Sequence, residues 1–168
     1  MKQIFLLFVI SVTCCSSTYL QHNATAHFNE PKNMRGIISR HNYWRAKVRA
    51  PPLKWSYTLS LRAKKWANHL RRENCRVYHS PGNRLGENIY WSVRMTNTPE
   101  SVVDAWADEI QYFDAKTGKC KGGECGHYTQ IIWKNTTKVG CATVQCGEKE
   151  IWVCEYSPAG NWVGQKPY

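Results

Sequence analysis

The sequence predicts an α+β domain built as a three-layer α-β-α sandwich around a central, mainly antiparallel sheet. Three amphipathic helical patterns and one short apolar helix are predicted along the chain. A strand lies between them, and a segment with alternating apolar and polar residues follows near the end of the chain. The strand patterns carry apolar residues on both faces, so we expect two or more helices on each side of the sheet. A length of 168 residues without internal repeats indicates one globular domain, over 32–168.

The N-terminus resembles a secretory signal peptide over 1–17. Lys2 precedes an apolar run over 4–12, and the small residues Ser16 and Ser17 follow. The run is too short for a transmembrane helix. Lipoprotein processing at Cys14 or Cys15 is the alternative. We therefore expect a secreted, extracellular protein, with a loosely ordered segment over 18–31.

Two helices are predicted in the first half of the chain, over about 31–48 and from Ser56 to just before Cys75. Pro51-Pro52 ends the first helix. Their apolar stripes are Ile37, Trp44 and Val48 in the first helix and Leu59, Ala63, Trp66, Ala67 and Leu70 in the second.

These helices also predict whether two histidines and one arginine are buried or exposed. His41 and Arg45 lie one turn apart on the apolar face of the first helix, so we expect them to be buried and hydrogen-bonded within the chain. His69 lies off the stripe of the second helix, which predicts an exposed side chain.

A strand is predicted over about 85–91, followed by a third helix that reaches about Phe113. Thr98-Pro99-Glu100 supplies an N-cap, a first-turn proline and an acidic residue. The buried stripe of this helix is Val102, Val103, Trp106, Ile110 and Phe113. Glu109 lies at the edge of the stripe, and a short fourth helix is predicted over 127–133.

The six cysteines beyond the signal peptide predict three disulfides. Cys146-Gly147-Glu148-Lys149 indicates a hairpin with Gly147 first in a type II′ turn. If Cys146 faces Lys149, Cys141 faces Cys154 with Cα atoms ~4.5 Å apart, within disulfide range. Cys146 then projects from the other face. Cys120 and Cys125 can close their own Gly-rich loop, which leaves Cys75 for Cys146. The predicted pairs are 75–146, 120–125 and 141–154.

Composition and motifs exclude several classes of function. Oxidised thiols cannot act as nucleophiles or metal ligands, and the sequence has no Gly-x-Ser-x-Gly, Walker, Gly-x-Gly-x-x-Gly or His-Glu-x-x-His motif. Residues 1–95 carry 16 Lys and Arg against 3 acids. This charge favours a membrane surface or an anionic wall polysaccharide, with a merely solvated basic face as the alternative. An extracellular location excludes nucleic acid as a partner.

Four segments resemble motifs of the CAP superfamily of secreted proteins. They are the stretch from Gly126 to Asn135, the His-Asn-x-x-Arg match from His41 to Arg45, Gly86-Glu87-Asn88-Ile89, and the stretch from Cys154 to Trp162. Glu155 departs from the usual small polar residue, and Trp152 replaces an aliphatic or smaller aromatic residue. The resemblance covers 34–168 and is strongest to plant-type pathogenesis-related proteins of group 1.

This resemblance implies a central cleft with two histidines and two glutamates: His79, Glu87, Glu109 and His127. Imidazoles are suitable ligands for Zn²⁺ or another divalent ion, while the carboxylates can orient them. Hydrogen bonds between the same residues without metal would also satisfy them.

The resemblance also implies sterol binding at the loop over 112–124, with Tyr112 and Phe113 as its apolar entry, although these rings could equally be core packing. Three hypotheses follow. The favoured one is a non-catalytic, secreted defence or host-interaction protein that binds a sterol or other lipid. The alternatives are a metal-dependent hydrolase that uses the His/Glu residues and a precursor of a C-terminal signalling peptide, Pro158 to Tyr168.

Overall fold

A four-stranded sheet with the order β1-β5-β6-β2 forms the centre of the fold. The computed structural model describes residues 30–168. The strands of this sheet are β1 (Lys54–Trp55), β2 (Gly86–Val93), β5 (Lys138–Cys146) and β6 (Lys149–Ser157). β6 pairs antiparallel with both β5 and β2, and the short β1 runs parallel to β5, so the sheet is mainly antiparallel as predicted. A separate two-stranded sheet joins β3 (Phe113–Asp114) to β4 (Lys119–Cys120).

Helices cover both faces of the sheet, which confirms the three-layer sandwich. They are α1 (Ile37–Lys47), α2 (Tyr57–Arg72), α3 (Pro99–Ala107) and α4 (Gly126–Ile131). Val153 and Cys154 of β6 point to opposite faces, and each belongs to a different apolar cluster. The expectation of two or more helices on each side was wrong. α2 alone provides the helical residues of one cluster, because its 16 residues are long enough to lie along β5 and β6.

The predicted signal peptide and residues 18–29 lie outside the part of the chain that the structure describes. Within residues 30–168, none of the helices has the length and apolar character that a membrane span requires.

The third helix begins as predicted but ends earlier. Thr98 caps it through a hydrogen bond from Ser101 N, and Pro99 is its first residue. The α-helix ends at Ala107 and continues as a 3₁₀ turn over Asp108–Tyr112. A 3₁₀ helix has three residues per turn, so Ile110 points away from the core instead of continuing the buried stripe of α3. Its side chain is 41% exposed, which corrects its predicted burial. Phe113 is half-buried in β3.

All three predicted disulfides are present, joining Cys75 to Cys146, Cys120 to Cys125 and Cys141 to Cys154. The hairpin register is also the predicted one, since Cys146 faces Lys149 and Cys141 faces Cys154. Gly147 has a φ of 61°, which a type II′ turn requires at its first position.

Arg45 is completely buried and donates to four backbone carbonyls. The acceptors are Pro51 O at 2.6 Å, Ile131 O at 2.7 Å, Trp133 O at 2.8 Å and Thr136 O at 2.9 Å. These carbonyls lie after α1 and along the chain that leads from α4 to β5. The guanidinium therefore fixes the end of α4 relative to α1, as a structural side chain.

His41 is likewise buried and structural, whereas His69 differs from its prediction. His41 bonds Ile37 O through Nδ1 at 2.8 Å and the Tyr156 hydroxyl through Nε2 at 2.9 Å, and burial lowers its pKa to about 4. His69 is half-buried, not exposed. Its ring stacks on Trp66 with centroids 4.6 Å apart and bonds the Tyr78 hydroxyl at 2.8 Å.

We predict that Arg45→Lys lowers the free energy of unfolding by about 3–5 kcal/mol, because one ammonium cannot satisfy carbonyls arranged around a planar guanidinium. Urea unfolding followed by circular dichroism under non-reducing conditions measures the change. Arg35→Lys is the matched control at an exposed position and should change stability by less than about 0.5 kcal/mol. Similar losses in both variants would contradict this role of Arg45.

Candidate functional site

His79 and Glu87 form the first of two histidine–glutamate pairs. His79 lies in the loop after α2, and Glu87 is the second residue of β2. His79 Nδ1 is 2.6 Å from Glu87 Oε1, which also accepts from Ser80 N at 3.0 Å. The side chain of His79 is 65% exposed and that of Glu87 only 5%. The hydrogen bond to Glu87 raises the pKa of His79.

His127 and Glu109 form the second pair at the start of α4. Glu109 Oε1 lies 2.5 Å from His127 Nδ1, and Glu109 Oε2 accepts from His127 N at 2.8 Å and Tyr128 N at 3.2 Å. Burial alone would raise the pKa of Glu109, but these hydrogen bonds outweigh it and lower the pKa. Trp106 stacks on the His127 ring with centroids 6.3 Å apart. The 3₁₀ turn therefore places Glu109 where it anchors both His127 and the first turn of α4.

The direction of neighbouring side chains on β2 explains why the contacts are pairwise. Asn88 Nδ2 donates to His127 O at 3.1 Å, so Asn88 points to the side on which α4 lies. Glu87 is the adjacent residue and projects from the opposite face of the strand. Across residues 30–168, no group of three or more His, Cys, Asp or Glu side chains could hold a metal ion. Each of the two predicted histidines therefore forms a hydrogen bond with one glutamate.

Glu155, which departs from the small polar residue usual at this position of the motif, is a buried acidic residue that the motifs did not predict as part of the site. It lies directly across from Glu87 in the β2–β6 pairing and is 3% exposed. Asn83 Nδ2 donates to Glu155 Oε2 at 2.8 Å. Burial raises the pKa of Glu155 to about 7, and the nearby Glu87 adds to the rise. Knowing the strand pairing would have revealed these two facing glutamates.

Two buried polar atoms at the first histidine–glutamate pair lack a hydrogen-bond partner among the described residues. Glu87 Oε2 and Ser80 Oγ are buried without a hydrogen bond to any described residue. The first histidine–glutamate pair therefore keeps unused hydrogen-bonding capacity.

Tyr112 and Phe113, the two residues predicted to form the entry for a lipid, have different environments. Phe113 packs inward, with ring centroids 5.6 Å from Tyr128 and 6.2 Å from Tyr168. Tyr112 is 36% exposed and lies over Gly123, where a Cβ atom would come within 2.8 Å of its ring. Gly123 thus allows the Tyr112 ring to lie flat on the loop.

A groove of about 290 Å³ lies between this loop and the C-terminal segment. Its apolar lining comprises Trp133, Trp162, Val163, Pro167 and the Cys120–Cys125 disulfide, with several glycines between them. Neither Tyr112 nor Phe113 lines this groove.

Comparisons with known proteins show the family to which this chain belongs. Residues 38–156 match the cysteine-rich secretory protein family, CAP, and the chain belongs to that family.

Among its relatives, the pathogenesis-related protein PR-1 of Medicago truncatula is 38% identical, over 98% of this chain and 95% of the relative. The pathogenesis-related protein PRMS of Zea mays is 40% identical, over 83% of each chain. The solved structure of Schistosoma mansoni venom allergen-like protein 4 has the same fold, with a TM-score of 0.67 and 24% identity over 82% of this chain and 94% of that one.

We predict that Glu155→Gln stabilises the protein more at high pH than at low pH. The pKa of Glu155 is about 7 in the folded protein against an ordinary 4.5, so the native carboxyl costs stability as pH rises through this window. Between about pH 5 and about pH 8, the stability of the variant relative to the wild type should increase by at least ~1 kcal/mol.

Urea unfolding at both pH values measures this difference. Glu73→Gln, at an exposed carboxylate, is the control and should show no such increase. A pH-independent difference for Glu155→Gln would show that the carboxyl ionises normally.

Proposed function

We propose that this protein is an extracellular, non-catalytic defence protein that binds a sterol or another apolar lipid. Its relatives named as pathogenesis-related proteins support the defence role. Three disulfides support an oxidising, extracellular compartment. The observation that carries lipid binding is the apolar groove beside the Cys120–Cys125 loop.

The groove has an exposed apolar rim. Trp162 is 58% exposed and Val163 is fully exposed. Trp162 Nε1 donates to Ala159 O at 3.0 Å, which holds the ring in one orientation. Covering these side chains with a lipid removes apolar surface from water, which favours binding.

The size of the groove determines how a sterol would bind. Small-molecule sites usually measure ~300–1,000 Å³, and this groove, at about 290 Å³, is near the lower limit. We therefore propose that it encloses one end of the lipid while Trp162 and Val163 contact the rest. Lys166 Nζ donates to Lys116 O at 2.6 Å and links the C-terminal segment to the loop.

Equilibrium binding of fluorescent cholesterol tests this proposal. The wild type should bind saturably, and Trp162→Ala should bind roughly tenfold more weakly because a large aromatic contact is lost. Trp91→Ala is the matched control, since Trp91 is 51% exposed on β2 and does not line the groove. Tyr112→Ala tests whether the predicted entry residue contributes. Absence of saturable binding, or equal losses for Trp162 and Trp91, would refute the proposal.

A metal-dependent hydrolase is the alternative that the histidine–glutamate pairs favour. In both pairs the carboxylate holds Nδ1, which leaves Nε2 of His79 and His127 available to a Zn²⁺ or similar ion. Such an ion would polarise a bound water molecule. Because the two pairs are separate, each would offer an ion one nitrogen ligand, so affinity would be modest and would fall as the histidine protonates.

Isothermal titration of Zn²⁺ tests this alternative without relying on activity. Under this alternative, the wild type binds Zn²⁺ at the His127–Glu109 pair and His127→Ala does not. Any hydrolytic turnover is then lost in the variant and after addition of a chelator. Turnover that survives both changes would exclude the hydrolase. Binding of Zn²⁺ without turnover would leave a metal site that is not catalytic.

The precursor of a C-terminal peptide is a second alternative. The segment from Pro158 to Tyr168 follows β6, and residues 161–166 are exposed, which favours access by a protease. Hydrogen bonds hold both ends, from Thr136 Oγ1 to Pro158 O at 2.9 Å and from Lys134 N to Pro167 O at 2.7 Å. Mass spectrometry of the secreted protein tests whether the peptide is released, because an intact C-terminus would count against release.

A further inference from the structure

A second and larger cavity lies between α2 and the loop over 80–85. Its volume is about 690 Å³. Four cationic side chains line it: Arg62, Lys65 and Arg72 from α2 and Arg84 from the loop. Trp66, His69 and Asn83 also line it, and Glu155 is the one acidic residue among the described residues of its lining.

The spacing of the cations along α2 explains why they converge. Arg62, Lys65, His69 and Arg72 are three or four residues apart, so they share one flank of the helix. The neighbouring stripe of Ala63, Ala67 and Leu70 packs on the sheet instead. The cationic flank is therefore not used by the core, and Arg84 approaches it from the facing loop.

The four cations form no ion pair within the described residues, although Arg62 has a longer-range attraction to the Glu155 carboxylate. Glu155, which lies in the same cavity, instead accepts a hydrogen bond from Asn83. Cations that converge on one concave surface repel each other, and a bound anion would relieve that repulsion.

The distance that the cations span favours a ligand with several separated charges. From Arg62 to Arg72 the helix rises ~15 Å, at ~1.5 Å per residue. A single phosphate can contact only part of such a row, whereas a chain of charged units can follow it. Arginine side chains match carboxylates through paired hydrogen bonds.

A fixed aromatic surface lies beside the cations. Trp66 Nε1 donates to Tyr78 O at 3.2 Å, and the Trp66 and His69 rings are stacked with 17° between their planes. Aromatic faces of this kind pack against the C–H faces of sugar rings. The site is also concave, so a planar membrane surface would contact the cations less completely than a flexible chain that enters the cavity.

We propose that this cavity binds an acidic oligosaccharide whose sugar rings carry carboxylates. The arginines and Lys65 contact the carboxylates, the Trp66–His69 stack contacts a ring face, and Asn83 and Glu155 offer hydrogen-bonding groups to hydroxyls. This site is distinct from the apolar groove at Trp162, so either can fail without the other.

Isothermal titration calorimetry with linear trigalacturonate tests the proposal, with maltotriose as a neutral trisaccharide, inorganic phosphate and phosphatidylserine vesicles as comparison ligands. The trigalacturonate should bind saturably, and more weakly at high salt because exposed charges are screened. Arg62→Gln and Arg84→Gln should each weaken binding roughly tenfold. Arg35→Gln, at an exposed arginine outside the cavity, should leave affinity unchanged.

Thermal unfolding of each variant checks that the fold is retained, which we expect because the two cavity arginines form no ion pair within residues 30–168. The proposal is overturned if trigalacturonate does not bind, if maltotriose binds equally well, or if Arg35→Gln causes the same loss. Vesicle or phosphate binding that depends on Arg62 and Arg84 while trigalacturonate is not bound would also overturn it and would identify a headgroup or phosphate site.

Discussion

The buried guanidinium of Arg45 is the constraint on which the arrangement of this domain depends. It joins the segment after α1 to the carbonyl of Ile131 at the end of α4 and to those of Trp133 and Thr136 just beyond it. Trp133 O also accepts from Thr136 N at 3.0 Å, whereas Ile131 O and Thr136 O have no backbone donor among the described residues and would be unpaired without the guanidinium. Holding the end of α4 also determines where the helix begins, and therefore where His127 lies.

A second buried network ties the other elements to the same helix. His41 donates from Nδ1 to Ile37 O, so its neutral Nε2 accepts from the Tyr156 hydroxyl. The hydroxyl oxygen then accepts from Asn88 Nδ2, which also donates to His127 O. The pKa of about 4 for His41 keeps the ring neutral at neutral pH, which this donor order requires. α1, β6, β2 and α4 are thus held by one continuous set of hydrogen bonds.

The chemistry of the surface is divided among separate places on this rigid framework. Two histidine–glutamate pairs lie at β2 and α4, an apolar groove lies beside the C-terminal segment, and a cationic cavity lies along α2. The disulfides and the buried networks stabilise the framework without using residues of the groove rim or the cavity, Trp162 and Arg62 among them. Binding surfaces can therefore differ while the fold stays the same.

Local patterns in the sequence determined much of the fold. The stripe of α2, the cap at Thr98 and the turn at Gly147 are each set by residues within a few positions, and the turn fixes the register that joins Cys141 to Cys154. Tertiary structure alone decided the rest. α3 ends early where Glu109 reaches the first N–H groups of α4, and Glu155 faces Glu87 because β2 pairs with β6. These contacts join residues distant in sequence, and no local periodicity specifies which distant segments pair.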